Sequence, residues 1–469
     1  MRLKNLVTAL LIAVNLTIFA LAAYRAGNYD FRAFYCAGAT ARHGADPYRT
    51  APLYLCERTQ TASNAAWLQA PLPAPFPPYA IAAVFEPLSQ LPYRAAAMLW
   101  TFLLVCACVG AGAMLWRLTQ LPAGVIVAAL ALSLGIPSVG FGEVVPLYLF
   151  FLCAAMWFAR RGEPVAAAAC AAATLLEPHL GLPVCCALAL AERRTRAPLF
   201  AFGVGIAALS VASFGTARIG EYLGTVLQYH ALSELPSDQQ LSLSTILYWA
   251  GISAKAAIAA GTVSYLAAVV AGTLAGAKLA FTYRDAAYAV AVPAAFAVVG
   301  GVFVHQTQIV AAIPAAMLLM ARSSARTFPA LMLLGLAIPW VWDVTPLIAV
   351  CGSAVAFAIA FDCVSVPKAI GIAVPVALML AGLLAVSHAP HVLHVHALPA
   401  IDPEYPESGW AQAVWTNIAG GSIDTWLRRL PVWAAVAALA VACLYLAAGP
   451  RLRVSRSGLH RAAQIGVST

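Results

Sequence analysis

The sequence predicts an all-α integral membrane protein, and composition, apolar runs and charge pattern all indicate this class. Hydrophobic residues make up 62% of the 469 residues and charged residues only 10%. A soluble chain cannot bury so large an apolar fraction, so lipid is the expected solvent for much of the surface. The apolar runs suffice for about 12–14 spanning helices of roughly 20 residues, some of them shorter. We therefore expect a single polytopic membrane domain.

The apolar runs place the spans at definite positions. The run after Met1 also has features of a signal peptide, but its length favours a first spanning helix. Proline and glycine interrupt several spans, which is tolerated where neighbouring protein or water satisfies the freed backbone groups, so we expect a cavity in the bundle. The predicted spans are residues 5–24, 95–116, 122–136, 145–159, 164–176, 180–191, 197–214, 257–276, 286–303, 308–321, 328–341, 346–361, 369–386 and 431–448.

The net charge of +9 is an orientation signal rather than evidence for a nucleic-acid partner. Basic residues occur in short breaks between apolar runs, such as Arg160-Arg161 and Arg193-Arg194, and in the tail of residues 449–469. Placing these breaks in the cytoplasm satisfies the positive-inside rule. Both termini are therefore expected on the cytoplasmic side.

Three long segments then face outward, namely residues 25–94, 215–256 and 387–430. In the first of them, Asp30 precedes aromatic residues spaced three and four apart, and a glycine at position 44 ends the pattern. An N-cap, a short amphipathic helix and a glycine stop produce this order, and such a helix is expected at the membrane interface.

Two cysteines of the first outward loop are disulfide candidates. Nine of the eleven cysteines lie in or beside apolar runs, whereas Cys36 and Cys56 do not. If the loop faces an oxidising periplasm, we expect these two residues to lie within bridging range, with alpha carbons less than about 7 Å apart.

Several polar motifs lie along the outward segments. Those near the amino terminus are Asp30-Phe31-Arg32-Ala33-Phe34-Tyr35, Gly44-Ala45-Asp46-Pro47-Tyr48, Phe76-Pro77-Pro78-Tyr79 and Glu86-Pro87-Leu88. Further motifs follow at Gly142-Glu143, Glu177-Pro178-His179, Gln239-Gln240-Leu241-Ser242 and Val304-His305. The first set resembles the amino-terminal motifs of glycosyltransferase family 87, and the second set resembles that family more weakly. The resemblance implies a GT-C-like bundle in a bacterial inner membrane.

The resemblance implies transfer of a mannose-like or arabinose-like sugar from a polyprenyl-phosphate carrier to a glycolipid or glycan on the periplasmic face. No P-loop, dinucleotide-binding glycine pattern or cytoplasmic domain for a nucleotide sugar is evident, which agrees with a lipid-linked donor. Membrane lipids are further expected partners, and no cofactor is expected. The alternative is a transporter or lipid-carrier flippase, although such proteins usually place ionisable residues at mid-membrane and contain repeated halves.

Transfer from a phosphate leaving group requires one carboxylate base for the acceptor hydroxyl, together with donors or cations for the phosphate. Asp30 is the candidate base, because it stands where the first span leaves the membrane and matches the family's first-loop aspartate. Its alternative role is an N-cap. Asp46 is the second candidate and is equally explained as a turn residue before proline. A base on the opposite face of the sugar would give inversion.

His305 and Arg32 are the candidate ligands of the donor phosphate. His305 is predicted at the outer end of a span, where an ionisable residue indicates function or contact with the lipid headgroups. A guanidinium such as that of Arg32 matches phosphate oxygens in geometry, and its alternative role is a headgroup anchor.

The candidate sugar-binding or acceptor-binding residues are polar and aromatic, and any of them can instead be solvated or structural. The family usually has glutamine at position 143 and lysine at position 177, so Glu143 and Glu177 are departures that affect donor and acceptor identity. The candidates are Tyr35, Asp46, Tyr48, Tyr79, Glu143 and Gln240.

A histidine cluster in the third outward segment is the most metal-like motif of the sequence. It lacks supporting carboxylates or cysteines and has no specific spacing, so we expect no metal there. The cluster comprises His388, His391, His394 and His396.

Overall fold

The computed structural model describes residues 29–60, 70–341, 346–386, 397–417 and 423–449. The predicted first span, the cluster of His388 to His396 and nearly all of the basic tail lie outside these residues. The described part of the chain is helical throughout, apart from loops and one antiparallel bridge between Gln240 and His305.

The observed α-helices follow the predicted spans closely. Wider π-type turns lie at Ile81–Phe85, Gly135–Val139 and Tyr222–Val226, and 3-10 turns lie at Thr174–Leu176, Arg193–Thr195 and Gln306–Ala312. The α-helices are Tyr29–Arg42, Thr50–Gln60, Pro78–Ala80, Glu86–Leu88, Tyr93–Thr119, Ala123–Leu134, Val145–Arg161, Pro164–Ala173, Pro178–Ala191, Arg196–Glu221, Leu227–Glu234, Leu243–Trp249, Ala254–Tyr283, Tyr288–Gly300, Ile313–Arg322, Thr327–Ala337, Pro346–Cys363, Val366–Val386, Pro406–Asn417 and Ile423–Ala448.

Among the described residues, five helical segments are long and apolar enough to cross a membrane, and six shorter apolar helices accompany them. The long segments expose large apolar side chains on their outer faces, including Phe102, Phe200 and Phe281. Such faces are stable only against lipid. The protein is therefore an all-α integral membrane protein, while the total of 12–14 spans stays a prediction.

The helix Tyr288–Gly300 is the centre of the bundle. Nearly all of its residues are buried, as expected of a helix that is apolar on every side. It packs against the helices Val145–Arg161, Pro178–Ala191, Ala254–Tyr283 and Ile423–Ala448. This arrangement brings the outer ends of separate helices together above one core.

One end of the bundle carries an ionic cluster around the buried carboxylate of Asp285. The carboxylate of Asp285 accepts hydrogen bonds from Arg160 at 2.9 and 2.7 Å and from Arg322 at 3.0 Å. Arg160 lies at the end of a 17-residue helix whose first turn follows Glu143. At 1.5 Å per residue, Arg160 and Glu143 are therefore about 25 Å apart, at opposite ends of the bundle.

The helices of the first loop pack closely against one another and against the bundle, and their position at the membrane interface stays a prediction. Helix Tyr29–Arg42 is buried on most of its surface, whereas the sequence predicts one apolar face at the membrane interface. In this helix, the ring of Phe31 stacks on that of Trp100 with centroids 5.3 Å apart, and the ring of Phe34 packs edge to face on that of Phe76 with centroids 4.6 Å apart. The disulfide between Cys36 and Cys56, with alpha carbons 5.6 Å apart, joins it to the helix Thr50–Gln60 and agrees with the predicted range.

Candidate active site

The candidate site begins where the first loop meets the turn before the helix Val145–Arg161. The backbone N–H groups of Asp30 and Phe31 both donate to the carbonyl of Phe141, at 2.8 and 3.3 Å. Asp30 lies within the first turn of its helix, one residue after the described start, so it does not precede the helix as an N-cap would. The two hydrogen bonds hold the backbone at Asp30 against the segment that carries Glu143, and the side chain of Asp30 is half-buried.

The turn that presents Glu143 is held by its neighbours. Gly142 has a φ of 82°, a conformation that favours glycine, and its carbonyl accepts a hydrogen bond from the indole N–H of Trp100 at 2.7 Å. The carboxylate of Glu143 forms a hydrogen bond with Thr307, which tends to lower its pKa. Thr307 belongs to the segment that contains His305, so the turn connects two parts of the site.

Asp30 and Glu143 both have raised pKa values. Burial, followed by repulsion from Glu234, raises the pKa of Asp30 to about 7, and Arg32 opposes this increase. Burial, followed by repulsion from Asp30, raises the pKa of Glu143 well above its ordinary value. Like charges in a dry site disfavour full ionisation. The site can therefore hold a proton near neutral pH.

Gln240 and His305 come together through backbone pairing. The N–H of Leu241 donates to the carbonyl of Val304 at 2.8 Å, and the N–H of Gln306 donates to that of Gln239 at 3.2 Å. The side-chain oxygen of Gln240 accepts from the N–H of Val304 at 2.8 Å, and its amide nitrogen lies 3.1 Å from Nε2 of His305.

Glu234 completes this part of the site, and the sequence analysis missed it. It is buried at the end of the helix Leu227–Glu234. Its Oε1 accepts a hydrogen bond from the indole N–H of Trp410 at 2.6 Å, and its Oε2 lies 3.3 Å from the amide nitrogen of Gln240. His230 was also missed. The available signal was the spacing of four residues between His230 and Glu234, which puts both on one helix face.

Glu177 lies beside the same group of residues. Its Oε2 accepts a hydrogen bond from the amide of Gln308 at 3.1 Å and lies 3.8 Å from Nδ1 of His179. The backbone N–H of His305 donates to Gln308 at 3.0 Å. Glu177 is thus connected to His305 through a single glutamine.

Arg32 is buried within the first loop. Only 4% of its surface is exposed, and its guanidinium lies 5.1 Å from the ring centre of Tyr29. Burial raises the pKa of both Asp30 and Glu57, and the charge of Arg32 partly offsets this increase. Arg32 is therefore placed to stabilise the ionised forms of these two carboxyl groups.

The predicted tyrosines and Asp46 make structural contacts. The hydroxyl of Tyr35 donates to the carbonyl of Leu91, that of Tyr48 to Phe76, and that of Tyr79 to Leu175. Asp46 accepts from the backbone N–H of Tyr48 at 3.0 Å and lies 3.8 Å from Arg218 and 3.9 Å from Arg49. These contacts match the turn role of Asp46, and a sugar-binding role for the four residues stays a prediction.

The chain matches the family model of Glycosyltransferase family 87 over residues 76–305. This part of the chain belongs to glycosyltransferase family 87. It is therefore a glycosyltransferase, and the matched region of the family contains Glu143, Glu234, Gln240 and His305. Asp30 precedes the matched residues, so its place in the site rests on its contacts with the family region. No curated protein and no solved structure matches the chain.

Proposed function

We propose that this family 87 glycosyltransferase moves a monosaccharide from a polyprenyl-phosphate carrier to a glycolipid or glycan. The observation that carries the proposal is the position of Asp30, whose backbone is bound to the turn that carries Glu143 and whose ionised form is disfavoured by burial and by the charge of Glu234. A carboxyl with a pKa near the working pH is suited to general base catalysis.

In the proposed reaction, the acceptor hydroxyl attacks the anomeric carbon while Asp30 takes its proton. The bond between the anomeric carbon and the phosphate oxygen breaks, and polyprenyl phosphate leaves with the bonding electrons. One displacement with the base opposite the leaving group inverts the anomeric centre. The phosphate needs no proton donor because it is a stable anion, unlike the leaving oxygen in glycoside hydrolysis.

His305 is the proposed contact for the donor phosphate. Its ring is half-buried, and Gln240 contacts its Nε2 at 3.1 Å, so its position in the site is defined. Arg32 was the other sequence candidate, but its guanidinium is almost wholly enclosed. We propose that Arg32 acts on Asp30 instead, because its positive charge stabilises the ionised form of that carboxyl group.

The acceptor is proposed to approach Asp30 from the side of Glu143 and Gln240. Both residues offer polar atoms to sugar hydroxyls, and the Oε2 atom of Glu143 is buried without a hydrogen-bond partner among the described residues. A sugar hydroxyl can supply that partner. The sugar itself is proposed to be mannose-like or arabinose-like, in a GT-C-type bundle.

The site is proposed to face the periplasm of a bacterial inner membrane, with both termini cytoplasmic. The positive-inside rule favours the cytoplasm for Arg160 and Arg322, and Glu143 lies at the other end of the helix that ends in Arg161. Reporter fusions after Arg194 and within residues 397–405 test this orientation. A cytoplasmic signal at the first position and a periplasmic signal at the second are expected, and the reverse pair would contradict it.

The proposed reaction is tested by incubating purified protein with synthetic polyprenyl-phosphate mannose or arabinose and membrane glycolipids. A product one sugar heavier than the acceptor, formed from the lipid donor but not from a nucleotide sugar, is expected. Product formation from a nucleotide sugar alone would contradict the proposal.

A further inference from the structure

We propose that His230, Glu234 and His305 bind a divalent transition-metal ion, and that this ion contacts the donor phosphate. The second half of the proposal rests on the proposed function, whereas the first does not. One ring nitrogen from each histidine and one carboxylate oxygen of Glu234 lie within 4.8 Å of one another. Two imidazoles and one carboxylate are a common ligand set for zinc and related metals, and they leave coordination positions open.

The ligand spacing is close to what a metal requires. Nε2 of His305 lies 3.8 Å from Oε2 of Glu234. With metal–ligand distances of about 2.0–2.1 Å, ligand atoms in a tetrahedral site are about 3.4 Å apart. Small side-chain rotations are therefore sufficient to close the site around an ion.

His230 provides independent evidence for a missing partner. Only 7% of its surface is exposed, and its Nδ1 atom is buried without a hydrogen-bond partner among the described residues. A buried polar atom in that state costs about 1–3 kcal/mol. Its ring meets Phe303 edge to face at 5.1 Å, which limits reorientation. A metal ion would supply the partner without moving the backbone.

The carboxylate of Glu234 is oriented as a metal ligand usually is. The indole N–H of Trp410 holds Oε1 at 2.6 Å, and this leaves Oε2 on the side of His305. Partners of this kind around a ligand typically strengthen metal binding. The amide nitrogen of Gln240 now contacts both His305 and Glu234, at 3.1 and 3.3 Å. The ion would replace this donor, while the oxygen of Gln240 stays on Val304.

The electrostatics of the site favour an added cation. Glu234 raises the pKa of Asp30, and Glu177 and Glu234 both raise that of Glu143, so four carboxyl groups act on one region. An anionic phosphate would be repelled there, because like charges interact strongly away from water. An ion on His230, Glu234 and His305 would offset this repulsion and bind phosphate oxygens at its open positions.

The test measures metal binding without any sugar donor. The starting protein carries no polyhistidine tag, and alanine replaces His388, His391, His394 and His396, so that this other histidine cluster cannot contribute. It is stripped with chelator, incubated separately with Zn²⁺ and Co²⁺, and analysed by elemental analysis and by cobalt absorption spectra. The variants are His230→Gln and Glu234→Gln, and His179→Gln is the matched control, since His179 also contacts Phe303.

One tightly bound ion per chain is expected in the starting protein and in His179→Gln. Affinity should fall at least about tenfold in His230→Gln and Glu234→Gln, because each loses a direct ligand. No stoichiometric binding, or equal binding in all four proteins, would overturn the metal site. Thermal unfolding of each variant checks that the fold persists. The decisive supporting result is a ligand variant, His230→Gln or Glu234→Gln, that unfolds at the same temperature as the starting protein but no longer binds the metal.

The role of the ion in donor binding is tested separately. Removing metal should raise the KM for the polyprenyl-phosphate donor, and adding it back should restore the original value. Full transfer after chelation would overturn the contact with phosphate. Metal binding without transfer from any polyprenyl-phosphate sugar would instead contradict the proposed function and leave the metal site in place.

Discussion

The backbone N–H of Asp30 donates a 2.8 Å hydrogen bond to the carbonyl of Phe141, two residues before Glu143. This bond joins the first loop to the region that matches the glycosyltransferase family. Burial, followed by the charge of Asp30 from this distant part of the sequence, raises the pKa of Glu143. The proposed chemistry depends on this junction.

The rate of sugar transfer should increase with pH below neutrality. Burial and the charge of Glu234 raise the pKa of Asp30 to about 7, and a base acts only when it is deprotonated. With saturating donor, the rate should increase by about tenfold per pH unit below pH 7 and level off above it. Initial rates from pH 5.5 to 8.5 provide the measurement. A rate that increases as the pH falls below 6 would be incompatible with Asp30 as the base.

Substitution of His305 by alanine should weaken donor binding more than it slows the chemical step. The variant loses an imidazole ring that either contacts the donor phosphate directly or binds the metal ion that contacts it. We expect the KM for the donor to rise about tenfold or more, as is typical for the loss of a charge-assisted contact. Steady-state kinetics provide the measurement, and His43→Ala is the control because His43 is exposed. Equal donor KM values for both variants would argue against this role.

The disulfide of the first loop should contribute to stability. The bond between Cys36 and Cys56 closes a loop with a sequence separation of 20. Bonds of this kind contribute about 2–4 kcal/mol. Thermal unfolding in detergent should show a lower midpoint after reduction of the parent protein, whereas reductant should not affect the double variant Cys36→Ser and Cys56→Ser. A parent midpoint that is unchanged after verified reduction would refute the prediction.

Gly38 should tolerate no larger residue. A methyl group there would lie 2.2 Å from the carbonyl oxygen of Phe85, so the helix Tyr29–Arg42 would have to move. We expect Gly38→Ala to destabilise the protein by about 1–3 kcal/mol, as overpacking does. Thermal unfolding provides the measurement. Gly382→Ala is the control, because a methyl group added at Gly382 would have no atom of another described residue within 4 Å, apart from its neighbours in the same helix. Equal midpoints for the two variants would contradict this packing.

The sequence predicts well those helices whose positions depend only on the length of an apolar run. The predicted spans 95–116 and 145–159 correspond to the helices Tyr93–Thr119 and Val145–Arg161. The last predicted span, residues 431–448, lies within a longer helix that is described from Ile423 to Ala448. Arg429 is buried there and donates to the carbonyls of Gln240 and Asp238, a distant contact that a hydropathy pattern cannot contain.

The candidate site is only partly predictable for the same reason. His305 and Gln240 carry local motifs, and the structure places them in contact. Glu234 and Trp410 were missed because their relation depends on the approach of two helices that are far apart in sequence. The spacing of four residues between His230 and Glu234 was a local signal, but it contains no information about Trp410.

The transfer rate of the Asp30→Asn variant tests the central proposal most directly. Asparagine keeps the shape of the side chain and a polar oxygen, but it cannot accept the acceptor's proton as a base. We predict that transfer from polyprenyl-phosphate sugar falls by about two to four orders of magnitude, as for the loss of a general base. Unfolding temperature and donor binding should stay at the parental values, and Asp46→Asn should transfer sugar at nearly the parental rate. Near-parental transfer by Asp30→Asn would contradict the assignment and move the base to Asp46.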